Sequence, residues 1–384
     1  MHLPLPLAAE RLLPGLSATI ATRLDELRRL ATAIDPAAVA LVDQCATLLQ
    51  GGKRFRAALA YWAFRANGGA AAAPAALQLG AALELFQASA LFHDDLLDNS
   101  DTRRGAPTAH RAFQQRHLNA NLAGDSAQFG ENAAILLGDI ALSLAYAELN
   151  LAITTGGLSP GQGAALQHVF ATMCQEVFIG QYLDILLENE PLDAEVHGSI
   201  HASTRAEIHA KTHSETQAKR AETVLQAKSA SYSVKYPLIL GAILAGAPDS
   251  LQGDLVQIGE RLGAAYQLRD DLLGIFGDMQ RTGKPAGDDL REGKRTLLLL
   301  SALQNASQLE RVTLIPLIGK QNLTTTELAQ AREILVNTGA VAEIESKIAS
   351  ATQDAITGLE GLPLAEPGKA MLVQLAQILV NRDS

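Results

Sequence analysis

The stretch PAALQLGAALELFQASALFHDDLLDNSDTRRG, residues 74–105, decides the fold class. It begins at a proline, continues through alanine, leucine and other apolar residues, and reaches a group of aspartates with no β-branched residue before Thr102. Proline suits the first turn of a helix, and alanine and leucine are strong helix formers. We therefore predict a long, strongly apolar helix that ends in carboxylates.

The rest of the chain has the same character. Among its 384 residues, Ala and Leu dominate and aromatic residues make up only 4%. Alternating β-branched runs are nearly absent, and no internal repeat or long linker stands out. We predict an all-α protein, a single domain over residues 1–384 with long central helices around a deep apolar cavity. Thr326 with Glu327 is predicted to cap a late helix that Gly339 ends. The helices are predicted near residues 16–31, 35–50, 53–66, 75–98, 132–154, 161–188, 222–246, 251–276, 293–304, 326–337, 340–358 and 367–381.

The charge excludes one large class of proteins. The chain has 31 Lys and Arg against 41 Asp and Glu, a net charge of −10. Sequence-independent nucleic-acid binding needs a basic surface, so we predict no nucleic-acid partner. Cys45 and Cys174 are too few for a disulfide framework or a cysteine-based zinc site. A reducing compartment is therefore expected.

The two most apolar windows, residues 74–92 and 132–154, raise the question of a membrane protein. Glu84 interrupts the first window, and Asp139 and Glu148 interrupt the second. Carboxylates are costly in lipid, so these windows fit buried core helices better than membrane spans. The N-terminus has no basic region before its apolar residues, which argues against a secretory signal. We predict a cytoplasmic protein with no stable membrane insertion.

The first acidic motif lies at the end of the helix that begins near Pro74. Asp94 and Asp98 are four residues apart and share one helical face, with Asp95 beside them. Carboxylate oxygens suit Mg²⁺, which shares its remaining coordination positions with water and substrate phosphates. Arg103 and Arg104 follow, and arginine binds phosphate oxygens in a bidentate manner. The motif indicates metal-bridged diphosphate binding, while a salt-bridged helix end is the simpler alternative.

A second acidic motif weakens that alternative. Asp270 and Asp271 also end an apolar helix, and a loop rich in glycine and lysine follows over residues 282–296. Two acidic helix ends that face each other across a cavity would hold a cluster of Mg²⁺ ions around one diphosphate. Lys284 and Lys294 in the loop would add positive charge at the leaving group.

A basic segment lies near the beginning of the chain. The sequence GGKRFR, residues 51–56, begins a helix whose backbone amides, with Lys53 and Arg56, would form an anion site. Taken alone, this basic helix start would fit ordinary surface charge.

Residues 189–222 form a polar insertion that carries four histidines. They make two pairs four residues apart, which indicates either a metal site or, as we favour, a solvated surface hairpin. The histidines are His197, His201, His209 and His213.

The motifs as a set resemble the trans-isoprenyl (polyprenyl) diphosphate synthases, and the geranylgeranyl diphosphate synthases among them. The resemblance runs in order from about residue 51 to 300. It rests on GGKRFR, ELFQASALFHDDLLDNSDTRRG, GD at 138–139, GQ at 180–181, KSASY at 228–232 and the segment from QLRDDLLGIFGD to GKRT. It implies an all-α homodimer that joins an allylic diphosphate to isopentenyl diphosphate.

The resemblance also implies a role for individual residues. Mg²⁺, up to three ions in the site, is expected on Asp94, Asp95, Asp98, Asp270 and Asp271. The allylic diphosphate is expected on Arg103, Lys228, Ser229, Gln267, Lys284 and Lys294, of which Lys228, Gln267 and Lys284 are assigned to catalysis. Isopentenyl diphosphate is expected on Gly52, Lys53, Arg56, Gln87 and Arg104.

This chain departs from the family pattern at two positions. Gly274 stands where the second motif of the family has a third aspartate. Gln87 stands where bacterial relatives commonly have a histidine, although an amide can also donate to a phosphate oxygen. No side chain is assigned as a nucleophile, and for His93 we favour a packing or supporting role over that of a base.

The length of the product is predicted from the residues that precede the first motif. Ser89 and Ala90 lie five and four residues before Asp94 and are small, whereas farnesyl-producing members commonly have a bulky aromatic residue there or a longer motif. Phe86 lies about 12 Å below Asp94 along the helix. It is the next candidate for the floor of the tunnel, with simple core packing as the alternative. We predict a C20 product, geranylgeranyl diphosphate.

Other functions stay open at this point. The product could be farnesyl diphosphate or a C25 or longer chain. A class I terpene cyclase shares the helices and one acidic motif, but it does not need the GGKRFR segment. A non-catalytic subunit that modulates a partner synthase would usually have lost part of one acidic motif. In this chain, Gly274 is the one position that suggests such a loss.

Overall fold

The computed structural model of the protein describes residues 4–192, 215–277 and 286–381. Most of these residues are helical and very few are in strands, which confirms the predicted all-α class. The α-helices are α1 Leu5–Ala8, α2 Leu12–Ile34, α3 Val39–Leu49, α4 Phe55–Ala66, α5 Pro74–Leu97, α6 Ala109–Asn119, α7 Ser126–Thr155, α8 Pro160–Glu188, α9 Tyr236–Leu244, α10 Asp249–Phe276, α11 Asp288–Glu292, α12 Leu297–Asn305, α13 Gln308–Leu314, α14 Thr325–Asn337, α15 Ala340–Gly361 and α16 Gly368–Val380.

Shorter elements complete the chain. Residues 215–224 are helical and lead into a π-helix, Leu225–Lys235. Three 3₁₀ turns lie at Ala9–Arg11, Pro36–Ala38 and Ile315–Leu317. The strands that the structure describes are β1 Thr102–Arg103 and β2 Ala106–Pro107, which pair as an antiparallel hairpin.

The contacts group the chain into two compact units. The first comprises Met1–Ala171, Tyr236–Val256 and Leu359–Leu375. The second comprises Thr172–Lys235, Gln257–Gly358 and Ala376–Ser384.

Helix α5 lies at the centre of the first unit. It packs against α2, α4 and α7, and its side chains are buried on most of its circumference. Helix α4 is buried along nearly its whole length and packs against both α5 and α9. Gly241 lets the backbones of α9 and α4 lie close together, because a Cβ atom at this position would overlap the carbonyl oxygen of Ala60 in α4.

Helices α10, α14 and α15 contribute much of the second unit. Leu187, Ala221 and Leu300 form one of its buried apolar clusters. Arg269 in α10 forms a bidentate pair with Glu345 in α15, with both N–O distances at 2.7 Å. Arg332 in α14 donates to the carbonyl oxygen of Ile275 at the end of α10. These bonds hold the end of α10, which carries the second acidic motif.

Within the described residues, two helices, α5 and α7, are long and apolar enough to cross a membrane by length and composition alone. The apolar window of α5 is 72% buried within the protein, as expected of a core helix. The window of α7 is 39% buried, less than we predicted, and α7 exposes Phe129, Ile135, Leu136 and Leu151.

The helix boundaries follow the predicted ones closely, but some predictions were wrong in detail. The cap of α14 is Thr324, whose hydroxyl accepts from the backbone of Glu327 in a complete capping box, and not Thr326. Helix α6 was missed because its sequence AHRAFQQRHLN is polar and has no clear apolar stripe. The polar insertion predicted over 189–222, with its four histidines, lies mostly outside the described residues.

Candidate active site

The three carboxylates of the first acidic motif lie at the C-terminal end of α5. Asp95 is buried, and Asp94 and Asp98 are half-buried. The helix ends because Asn99 adopts a left-handed conformation with φ of 51°, after which the Ser100 amide donates to the Asp95 carbonyl oxygen. The predicted group of carboxylates is therefore brought together at one helix end.

A tight hairpin turns the chain back and presents two consecutive arginines. Arg103 pairs with Ala106 across the hairpin, so Arg104 and Gly105 are its two central residues. Both have positive φ, 54° and 76°, the signature of a type I′ turn. Because the hairpin is so short, it holds Arg103 and Arg104 a few residues after the acidic motif.

Arg103 binds the acidic motif directly. Its Nε donates to Asp95 at 2.5 Å, and its Nη2 lies 3.4 Å from Asp94. Burial alone would lower the pKa of Arg103, but the negative charges of Asp95 and Asp94 outweigh it and raise the pKa. The guanidinium therefore stays charged and offsets the repulsion between the carboxylates.

The loop between α5 and α6 is held by Arg111 of α6 and by Thr108, the cap residue of that helix. Arg111 donates to Asp101 at 2.7 Å and to Asn99 at 3.0 Å. The Thr108 hydroxyl donates to the carbonyl oxygen of Ser100 at 2.7 Å. These bonds order the loop that carries the arginine hairpin.

Arg104 belongs to a different cluster, at the start of α4. Its Nη1 donates to the carbonyl oxygen of Leu48 at 3.1 Å, and a Cβ atom at Gly52 would lie 3.1 Å from its Nη2. Burial, followed by the charges of Arg54 and Arg103, lowers the pKa of Arg104. Close guanidinium groups at a helix start favour an anion, as the sequence predicts for this segment.

The other residues predicted to bind isopentenyl diphosphate lie on α4 and α5 of the same unit. Lys53 is exposed just before α4, Arg56 is buried in its first turn, and Gln87 is half-buried on α5. The predicted basic site is therefore built from the start of α4, the middle of α5 and the hairpin.

The predicted chain-length residues lie on α5 before the acidic motif. Phe86 is fully buried and contacts Phe170 edge-on, with ring centroids 6.0 Å apart. The ring of Tyr146 in turn contacts Phe170 at 5.3 Å. Ser89 is fully buried and Ala90 half-buried. Going back along α5 from the acidic motif, the small side chains at 90 and 89 therefore come first. The ring of Phe86, which contacts Phe170, comes next.

His93 packs against α7. Its Nε2 lies 3.3 Å from the carbonyl oxygen of Ile135 and 3.7 Å from the carboxylate of Asp139. A Cβ atom at Gly138 would overlap the imidazole, so the glycine of the GD motif makes room for the ring. These contacts fit the packing role that we favoured for His93.

In the second unit, Asp270 is exposed and Asp271 is buried at the end of α10. Gln267 donates to the Asp271 carboxylate at 2.9 Å. Burial and then the nearby charge of Asp289 raise the pKa of Asp271 well above its usual value. The exposed Asp270 is the better placed of the two to meet a ligand.

Gly274, where the family pattern has a third aspartate, lies directly against Asp289. A Cβ atom at position 274 would overlap the carboxylate of Asp289, which is mostly buried and lies 4.0 Å from Nζ of Lys294. A carboxylate from α11 therefore fills the space that a side chain at 274 would take. Asp289 was not predicted from the sequence, although the pattern GDDL at 287–290, after a motif without its last aspartate, was a signal.

Lys228 and Ser229 lie in the π-helix, a distortion common at functional sites. Nζ of Lys228 pairs with Asp184 in α8 at 2.6 Å. Gly180 lets α8 approach, because a Cβ atom there would touch the backbone of Lys228. The GQ motif entered only as part of the family resemblance, and neither this contact nor Asp184 was predicted from the sequence.

Lys294 pairs with Glu292 at 2.5 Å as well as lying near Asp289. Lys284 lies outside the described residues.

The donor chemistry of the first acidic motif fits Mg²⁺. Three carboxylates on two successive turns supply hard oxygen ligands, and Arg103 balances their charge. Within residues 4–192, 215–277 and 286–381, no three His, Cys, Asp or Glu side chains are already grouped as a metal site.

The chain belongs to the polyprenyl synthetase family, whose pattern matches residues 39–335, and it is a trans-prenyltransferase. It is similar to a solved structure of geranylgeranyl pyrophosphate synthase from Corynebacterium glutamicum, complexed with isoprenyl diphosphate and magnesium. The two are 35% identical with a TM-score of 0.84, over 97% of this chain and 99% of that one.

Two further relatives are named for products other than geranylgeranyl diphosphate. Geranylfarnesyl diphosphate synthase from Aeropyrum pernix is 29% identical over 86% of this chain and 91% of its own length. A (2E,6E)-farnesyl diphosphate synthase from Mycobacterium bovis is 30% identical over 87% of this chain and 80% of its own. The family resemblance drawn from the motifs is thereby confirmed.

The contact between Gly274 and Asp289 predicts a cost for any side chain at 274. Gly274→Ala forces the Asp289 carboxylate to move, and we expect it to be less stable than Gly253→Ala by about 1–3 kcal/mol. Gly253 lies on the same helix with no atom within 4 Å of its Cβ position, so it serves as the matched control. Urea unfolding measures both variants. Asp289→Ala added to Gly274→Ala recovers most of the loss, and equal stability of the two single variants would contradict the contact.

Proposed function

We propose that this prenyltransferase condenses isopentenyl diphosphate with an allylic diphosphate, depends on Mg²⁺, and makes mainly geranylgeranyl diphosphate. One observation carries the proposal: the consecutive residues Arg103 and Arg104 belong to two different charged clusters. Arg103 contacts the acidic motif, and Arg104 lies beside Gly52 at the basic start of α4. Two charged clusters that can each bind a diphosphate suit an enzyme with two diphosphate substrates. A terpene cyclase has one diphosphate substrate and needs one such cluster.

The metal ligands follow from the same proposal. Asp94, Asp95 and Asp98 at the end of α5 would hold Mg²⁺, as would Asp270 and Asp271 at the end of α10, with up to three ions in all. Mg²⁺ held by these carboxylates would neutralise the charge that builds up on the departing pyrophosphate. The relative from Corynebacterium glutamicum, solved with isoprenyl diphosphate and magnesium, supports this assignment.

The cationic side chains share this work. Arg103, Lys228, Lys284 and Lys294, with Ser229 and Gln267, bind the allylic diphosphate and stabilise the charge that develops as its C–O bond breaks. The electron pair of that bond leaves with pyrophosphate.

Isopentenyl diphosphate is held beside the allylic cation by the basic cluster of Gly52, Lys53, Arg56, Gln87 and Arg104. Its double bond then attacks the cation, and holding the two partners together lowers the entropic barrier to the new C–C bond. Loss of a proton to the released pyrophosphate completes the condensation. No side chain acts as a nucleophile.

Oligomeric state and location complete the proposal. We propose a homodimer, because α7 exposes a set of large apolar side chains along one helix, Phe129, Ile135, Leu136 and Leu151. Cys45 and Cys174 are buried and form no disulfide, which agrees with the reducing cytoplasm that we propose.

The decisive assay mixes the pure protein with Mg²⁺, labelled isopentenyl diphosphate and one allylic primer at a time, dimethylallyl or farnesyl diphosphate. We expect elongation that stops mainly at C20 and is abolished by a chelator. Products of other lengths would change the product assignment alone. A lack of turnover with every primer would favour a modulating subunit, and a cyclic hydrocarbon product would favour a cyclase.

Product length is expected to respond to the size of residues 86, 89 and 90. Ser89→Phe places a bulky ring at a fully buried position one helical turn before the acidic motif, so the main product becomes shorter than C20. Ala90→Phe acts in the same direction. Phe86→Ala removes a ring and lengthens the product. Chromatography of the labelled products measures the shift, and an unchanged distribution in all three variants would contradict control of length by this part of α5.

A further inference from the structure

Glu84 is a buried carboxylate in the middle of the apolar helix α5. It is 3% exposed, and such a charge is costly unless it is paired. Nη1 of Arg54 donates to its Oε2 at 2.9 Å, and the backbone amide of Ala57 lies 3.5 Å from its Oε1. Both oxygens therefore face the GGKRFR segment and the first turn of α4.

Arg54 holds an unusual backbone conformation. Its φ is 53°, in the left-handed region, and it is the residue before α4. This conformation is unfavourable for a residue with a side chain and needs support from its surroundings. The support comes from the guanidinium, which bonds both Glu84 and the carbonyl oxygen of Leu49. The ion pair thus fixes the turn at which the chain enters α4.

This turn sets the position of the cations around it. Lys53 precedes Arg54, and Arg56 follows in the first turn of α4. Arg104 lies close enough for the charge of Arg54 to lower its pKa, while that of Glu84 opposes the effect. Glu84 therefore reduces the mutual repulsion of this cluster of cations.

We propose that Glu84 is a positioning residue for isopentenyl diphosphate, which acts by holding Arg54 in the turn that arranges Lys53, Arg56 and Arg104. The inference rests on the proposed function, since it assumes that this cluster binds the second diphosphate. It adds Glu84 and Arg54, which the motif resemblance did not assign to either substrate.

The chain offers a matched control for a role in stability alone. Glu148 in α7 is 2% exposed and pairs with Nε of Arg23 at 2.7 Å. It is likewise a buried glutamate on an apolar helix of the first unit, but neither it nor Arg23 belongs to the GGKRFR segment, the acidic motif or the hairpin. Glu84→Gln and Glu148→Gln each remove one buried charge and keep the side-chain shape.

The test compares the two variants in the full-length protein. We expect both to unfold at lower urea concentration than the wild type. Only Glu84→Gln is expected to raise the KM for isopentenyl diphosphate, by about tenfold, with the KM for the allylic diphosphate unchanged. Calorimetric titration with isopentenyl diphosphate alone is expected to show the same selective loss, independently of turnover.

Arg54→Lys keeps the positive charge but cannot bond Glu84 and Leu49 in the same fork, and it covers the case in which Glu84→Gln does not fold. We expect the same selective rise in KM. If Glu84→Gln and Arg54→Lys lose stability as Glu148→Gln does while binding isopentenyl diphosphate as the wild type does, the inference is overturned. Turnover by the wild type decides the proposed function separately, so the two failures are distinguishable.

Discussion

Charge balance at the end of α5 is the constraint on which the site depends. Three carboxylates on a largely buried helix repel each other, and the penalty for burying them is large unless a cation lies close by. Arg103 supplies that cation at 2.5 Å from Asp95 and 3.4 Å from Asp94. It reaches them because a type I′ hairpin returns the chain immediately after the helix. The short loop is therefore as much part of the site as the helix itself.

Helix α5 joins the parts of the proposed reaction in one rigid element. Glu84 and Asp94 are ten residues apart, about 15 Å along the axis. Between them lie Gln87, assigned to isopentenyl diphosphate, and Ser89, assigned to product length. Because α5 packs against helices on several sides, these side chains keep their spacing. In the proposed function, residues for substrate binding, metal binding and product length are thus all positioned by the packing of a single helix.

The sequence was sufficient for the fold class and for the principal charged motifs. Long runs of Ala and Leu predict helices in almost any context, and i, i+4 spacing places Asp94 and Asp98 on one face by geometry alone. The single domain over residues 1–384 and its apolar cavity stay predictions. The ligand roles of the site residues are likewise proposals.

Contacts between residues far apart in the sequence could not be predicted from local sequence patterns. The filling of the space at Gly274 by Asp289 and the pairing of Lys228 with Asp184 both depend on how two helices meet. The support of Arg54 by Glu84 depends on tertiary packing in the same way. The π-helix was missed as well, because one regular helix was predicted over residues 222–246.

The central claim is that the carboxylates at the end of α5 bind the divalent cation that accompanies the diphosphate. Mn²⁺ has similar ligand preferences to Mg²⁺ and gives an anomalous X-ray signal. Crystals grown with Mn²⁺ and an unreactive allylic diphosphate analogue are predicted to show anomalous density within coordination distance of Asp94 and Asp98. Ordered analogue with manganese bound elsewhere, and none at these two aspartates, would contradict the account.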